Sequence, residues 1–438
     1  MSQKRVCLLF PRFYEGFIMR KVPLGLAYIA ATLQQRGIYV EAYNLNVDTL
    51  EEIDLSSFDF IGISCLTPFI NEVNRMLAYI KPRYPKAKIV LGGPHPTYKT
   101  KEVFDEIPQI DYVVTGEGEN ALPELVLHED RHGEIPGVYY KTKFGLIEGL
   151  KHKPVDLDEL PYPNQRLFDH GRLEKRNPYR AILGSRGCPF KCANCQPILT
   201  DVQPFRMRDT DSLLEEMRFL NQNYGQNYFG FLDSEFPIKR SWFADFSEKV
   251  KSSDLEFSFH CNAYSNILND DILRMYKDLN INRLAIGVES GVQRVIDEVI
   301  FKHIDLNHTY NMFKSAWDIG IRTHGHFMFG IPGETLDDMQ QTLNYATELP
   351  AKSIEFNMVT PWPGTRFYHV CVENNYLSDT DCSKYNEKRE SFISTEDFSA
   401  QDVNDFYQTV RHTLISKGYK NSPDGSVYYH PSYDGPIE

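Results

Sequence analysis

No stretch of this 438-residue chain stays apolar long enough to cross a membrane as a helix; the longest apolar runs are strand-length. The start, Met1-Ser2-Gln3-Lys4-Arg5, leads into an apolar run, Val6–Phe10, that stops at Pro11 and is too short for the core of a secretory leader. A disulfide framework is lacking too. Of eight cysteines, Cys7, Cys65, Cys261, Cys371 and Cys382 are scattered, which points to a reducing, cytoplasmic setting and to buried structural roles. Long basic runs are absent. The 47 Lys and Arg are dispersed among 60 Asp and Glu, and the net charge of −13 argues against general nucleic-acid binding. There is no internal repeat and no low-complexity segment. What is present, 42% hydrophobic and 24% charged residues, suits a soluble globular chain of two or three domains.

The apolar pattern alternates strand and helix. Over residues 5–130, strands are expected at 6–10, 40–45, 60–64, 88–91 and 112–114, with helices at 24–36 and 71–83. This predicts an α/β fold beginning with a Rossmann-like, doubly wound parallel sheet over 1–130. Residues 131–179 read as a linker holding a hairpin, 137–141 and 146–148, around Lys143-Phe144-Gly145. Residues 180–370 alternate again. Strands at 180–184, 227–232, 256–261, 283–288, 322–328 and 353–358 make six βα units, which fit a partial (β/α)6 TIM-like barrel with its site at the strand C-termini. Residues 371–438 read as a short mixed C-terminal region whose last dozen residues are unattached.

The chemistry concentrates at Gly184-Ser185-Arg186-Gly187-Cys188-Pro189-Phe190-Lys191-Cys192-Ala193-Asn194-Cys195. Three thiolates spaced Cys-x3-Cys-x2-Cys can hold three corners of a [4Fe–4S] cube and leave the fourth iron open. A structural zinc would want a fourth protein ligand, and no nearby Cys or His supplies one. Asp233-Ser234-Glu235 ends the next strand, where acids can accept from an ammonium group or simply cap a turn. Glu289 follows an apolar strand and can accept two ribose hydroxyls, with Ser290 as a further polar contact. In Met328-Phe329-Gly330-Ile331-Pro332-Gly333-Glu334-Thr335, Gly330 and Gly333 let backbone approach a flat ring, and Thr335 can cap the next helix. His260 and Asn262 flank a strand end; a lone histidine carries no role on sequence grounds.

The cysteine loop resembles that of radical S-adenosylmethionine (SAM) enzymes, and the segments at 233–235, 286–291, 328–335 and Pro361-Trp362-Pro363-Gly364-Thr365 resemble further segments of that superfamily. The residue before the last cysteine, usually aromatic there, is Asn194. The resemblance implies that Cys188, Cys192 and Cys195 ligate the cluster, that the open iron binds the SAM amino and carboxylate groups, and that an electron yields a 5′-deoxyadenosyl radical. It also implies an electron donor such as flavodoxin, ferredoxin or a reductase, and a small-molecule substrate.

Pro23–Tyr28, Ser64–Thr67, Gly92–Thr97 and Gly116–Glu119 resemble, in order, the loops of the cobalamin-binding domains that precede such barrels. The cobalt-ligating Asp-x-His-x-x-Gly of many such domains is absent, and His95 is not a substitute on sequence grounds. Two reactions stay open. One is cobalamin-dependent C-methylation; the other is cobalamin-independent dehydration, deoxygenation, cyclisation or rearrangement of a sugar or antibiotic precursor. A non-catalytic iron–sulfur or corrinoid carrier is the reading from another class.

Overall fold

The computed structural model describes residues 3–12, 22–142, 145–147, 149–168, 179–196, 204–385, 390–423 and 425–435. The chain divides into two compact units, Met1–Asn177 with Cys382–Lys384, and Pro178–Asp381 with Tyr385–Glu438.

The first unit runs β1 (Arg5–Phe10), α1 (Leu24–Gln35), β2 (Tyr39–Asn44), β3 (Phe60–Ser64), α2 (Ile70–Arg83), β4 (Lys88–Gly92), short α3 (Pro94–Tyr98) and α4 (Val103–Glu106), β5 (Tyr112–Val114) and α5 (Gly118–Leu127). Strands β1 to β5 are parallel in the order β2-β1-β3-β4-β5. Val6, Cys7, Leu8 and Leu9 expose no surface, so β1 is covered on both faces, as a parallel sheet between helices requires. The order reverses between β1 and β3, and such a switch point opens a crevice beyond the strand C-termini. The hairpin β6 (Val138–Thr142) and β7 (Gly145–Ile147), expected in a linker, instead extends this sheet by antiparallel pairing of β6 with β5. Unpaired backbone at the β5 edge and the fully buried Val138 explain the difference. Lys143, Phe144 and Glu148 lie outside the described residues.

The second unit runs β8 (Tyr179–Ile182), β9 (Ser185–Arg186), β10 (Arg206–Met207), α6 (Thr210–Tyr224), β11 (Tyr228–Phe231), α7 (Arg240–Ser252), β12 (Ser258–Ala263), α8 (Asp270–Asp278), β13 (Ile281–Glu289), α9 (Leu306–Asp318), β14 (Arg322–Phe329), α10 (Leu336–Glu348), β15 (Ser353–Met358), α11 (Arg366–Glu373), α12 (Ala400–Ser416), β16 (Lys420–Asn421) and β17 (Val427–Tyr429). Strands β8, β11, β12, β13, β14 and β15 are parallel neighbours in that order, and β8 and β16 are the two edges of an unclosed sheet. The last dozen residues are not all unattached as expected: β17 pairs antiparallel with β15, and Tyr428 is fully buried. A three-residue strand among polar residues has too short a pattern to be read from sequence.

Period-two alternation sorts these strands into two faces. Leu284, Ile286, Val288, Phe329, Ile354 and Phe356 are buried in one continuous apolar core. The alternate residues, among them Asn262, Ala285, Gly287, Glu289, His326, Met328 and Asn357, line a cavity of about 380 Å³. A barrel interior normally filled by branched apolar side chains is here polar and hollow.

Candidate functional site

The cysteine loop begins at the end of β9. Gly187 has φ +82°, a backbone that strains other residues, and turns the chain into Cys188. The buried Asp233 carboxylate braces the strand before it, accepting from Gly184 N–H at 3.0 Å and Ser185 Oγ–H at 2.5 Å. Ala193 ties down the far end: its N–H donates to the Ile300 carbonyl at 2.7 Å and its carbonyl accepts from Phe367 N–H at 3.2 Å. Phe190 stacks on Tyr264 at 4.0 Å. The three thiols are partly buried. Burial pushes Cys188 up, Cys192 up to about 11 and Cys195 up to about 12. They are therefore protonated until a cation draws the protons off.

The cavity adjoins this loop through Asn194. Its charged wall is Glu235, Glu289 and Lys302. Lys302 Nζ donates to Glu289 Oε1 at 2.8 Å, and the two side chains are 7% and 14% exposed. Burial pushes Lys302 down, but Glu289, Glu235 and Cys192 outweigh it and hold the ammonium above its ordinary range. Burial pushes Glu235 up to about 7, against the pull of Lys302. Glu289 has φ +72° and follows a register shift in β13 that re-aims its side chain. A Cβ on Gly287 would stand 2.4 Å from Glu289 Oε1 and 2.6 Å from Lys302 Nζ, so only glycine leaves room for the pair. Three cavity residues each carry a buried oxygen without a hydrogen bond: Asn194 Oδ1, Glu235 Oε2 and Asn357 Oδ1. Buried polar atoms are normally satisfied, so these point to a polar ligand.

Of the sequence-singled residues, Ser234, Glu235 and Glu289 line the cavity, with Trp362 from the Pro361–Thr365 segment. Asp233, Ser290, Gly330 and Gly333 are not among its lining residues. Ser290 is fully buried, with Oγ 3.1 Å from Thr342 Oγ1 on α10. Gly330 and Gly333, at φ +78° and +99°, shape the turn into α10. Glu334 closes that turn: its Oε2 accepts from Gly330 and Ile331 N–H at 3.0 and 3.1 Å. Thr335 caps α10 in a box with Asp338. Sequence reasoning missed Lys302, His326 and Asn357. Lys302 follows a π-helical turn, Val295–Ile300, between Phe301 and His303, both at positive φ, and no local pattern announces that geometry. The alternation of polar residues along β14 and β15 was the available signal for the other two.

Residues 182–346 match the radical SAM superfamily, and residues 21–126 match the B12 binding domain. The chain is a radical SAM enzyme with a cobalamin-binding-like domain before it. An uncharacterized methyltransferase of Pyrococcus horikoshii is 28% identical over 402 residues, 88% of this chain and 87% of that one. The anaerobic magnesium-protoporphyrin IX monomethyl ester cyclase of Rubrivivax gelatinosus is 27% identical over 405 residues, 87% of this chain and 72% of that one. The fold matches that of TsrM, a radical SAM methyltransferase from Kitasatospora setae with cobalamin and [4Fe–4S] cluster bound, at TM-score 0.72 and 15% identity over 98% and 88% of the two chains.

The residues of this radical SAM domain suit its cofactors. Three thiols stand on one fastened loop, and an adjoining cavity offers unsatisfied oxygens beside a fixed cation. In the first unit, the loops after β3, β4 and β5 are tied together: Cys65 N–H donates to the Gly92 carbonyl at 2.7 Å, His95 N–H to the Cys65 carbonyl at 3.1 Å, and Gly116 N–H to Thr97 Oγ1 at 3.1 Å. His95 is buried, with Nε2 2.7 Å from Glu106 Oε2 and Nδ1 3.3 Å from Thr67 Oγ1. Both ring nitrogens are engaged. No helix among the described residues is long and apolar enough to cross a membrane.

Proposed function

We propose that Cys188, Cys192 and Cys195 hold a [4Fe–4S] cluster, that SAM occupies the adjoining cavity, and that the chain methylates a carbon of a small molecule with cobalamin bound by the first unit. When bound, the cluster supplies the electron that cleaves SAM to a 5′-deoxyadenosyl radical, and cobalamin serves as the methyl carrier. Glu235 accepts from the SAM amino group on its unsatisfied Oε2. Lys302 fixes Glu289 by one oxygen and leaves the other for the ribose hydroxyls. Asn194 and Asn357 offer their free carbonyl oxygens to polar edges of SAM or substrate. Met328 and Trp362 give the cavity an apolar side that limits water. With His95 held by Glu106 and Thr67, the corrinoid binds without an imidazole from that residue.

The match of residues 21–126 to the B12 binding domain carries the methylation reading. A second reading is radical cyclisation or dehydration without cobalamin; the Rubrivivax cyclase, similar at nearly the same identity, supports its cyclisation arm alone. Anaerobic reconstitution with and without hydroxocobalamin, followed by desalting, separates them. Stoichiometric corrinoid retained beside an active cluster supports methylation. SAM cleavage with no corrinoid retained supports the second reading.

A further inference from the structure

The polar interior holds a second group of ligating side chains that the SAM site does not use. His324 and His326 stand two residues apart on β14 and share a face. The register sets His326 opposite Glu355 and His324 opposite Ser353 on β15. The ligating atoms of His324, His326 and Glu355 all lie within 4.8 Å of one another. Glu355 Oε2 is 3.4 Å from His324 Nε2 and 3.4 Å from His326 Nδ1.

Those separations exceed the usual 2.7–3.2 Å of a hydrogen bond between nitrogen and oxygen. They match a coordination edge instead. Zinc sits about 2.0–2.1 Å from nitrogen or carboxylate oxygen, and a tetrahedral edge is about 1.6 times that, or about 3.3–3.4 Å. His324 Nδ1 lies 2.8 Å from Ser353 Oγ, the contact behind a ligating imidazole that fixes which nitrogen faces the ion. Two imidazoles and one carboxylate are the donor set of zinc or ferrous centres with an open position. His326 lines the cavity, so the open position faces it.

We propose that His324, His326 and Glu355 bind one divalent transition-metal ion, which holds a hydroxyl, carboxylate or phosphoryl oxygen of the substrate in the cavity. This site is independent of the cysteine loop and needs neither cluster nor corrinoid.

The test uses the full chain, anaerobically, in two forms: the wild type with its cluster reconstituted, and a variant with Cys188→Ser, Cys192→Ser and Cys195→Ser. Each is stripped with chelator, loaded with Zn2+, desalted and assayed for metal. Both are expected to retain one equivalent of zinc, with an X-ray absorption shell of nitrogen and oxygen at about 2.0–2.1 Å. Glu355→Gln is expected to lose the ion, and Ser353→Ala to weaken it by about 10–100-fold. A zinc shell containing sulfur at about 2.3 Å would overturn the proposal. Failure of both forms to retain zinc, or unchanged retention in Glu355→Gln, would overturn it as well. The absorption spectrum of the wild type decides the matter even where a variant fails to fold.

Discussion

Lys302 balances two carboxylates on the cavity wall, and its removal costs stability. Lys302→Met leaves Glu289 and Glu235 facing each other uncompensated, and breaking a buried pair costs about 3–5 kcal/mol. A clearly lower thermal midpoint is expected, read by calorimetry; an unchanged one would show that the pair is solvated. Glu235 sets a pH dependence of opposite sign in binding and stability. It titrates near 7 and accepts most strongly from the SAM amino group when ionised, so SAM affinity is expected to fall below that pH. Equilibrium titration from pH 5.5 to 8.5 checks this, and Glu235→Gln should flatten the profile. Without ligand, burial raises Asp233 to about 6, Glu235 to about 7 and Glu334 to about 8. The folded protein then binds more protons than the unfolded chain. The stability these groups add is full below about pH 4 and is lost as pH rises through 6 to 8. At this scale the three cysteines were legible because their spacing is local. Lys302 was not, because its role depends on partners from a different strand.

The turn between β14 and α10 shows how an element can resemble a binding loop and act as a brace. Gly330 and Gly333 supply its shape, while the Glu334 carboxyl, titrating near 8, accepts two backbone N–H groups. A neutral amide can accept the same bonds. Glu334→Gln is therefore expected to leave the thermal midpoint nearly unchanged, and Glu334→Ala to cost about 1–3 kcal/mol by stranding buried donors. Equal losses in the two variants would contradict the brace. The six parallel strands were legible from their apolar runs, each of which packs under helices. The polar phase of the same strands was equally present in the sequence, at His324, His326, Glu355 and Asn357, but its meaning needs the neighbouring strand. Hairpin β6–β7 was legible as a hairpin, but its attachment to the sheet and the pairing of β17 were not, because each is short and settles on an edge that only the folded sheet provides.

At the scale of the whole molecule, each unit builds its site where a parallel sheet ends. In the first, tied loops follow β3, β4 and β5; in the second, a hollow polar interior adjoins a fastened cysteine loop. The order of these modules was legible from motif order, whereas the substrate is written in cavity-lining residues that follow no sequence code. The central claim is that Cys188, Cys192 and Cys195 carry a cluster that cleaves SAM. It is tested most directly by quantifying 5′-deoxyadenosine after anaerobic reconstitution, reduction and addition of SAM, in the wild type and in Cys192→Ala. The expected result is 5′-deoxyadenosine from the wild type and none from the variant. Equal formation by Cys192→Ala, or none from a wild type with a full cluster, would contradict the account.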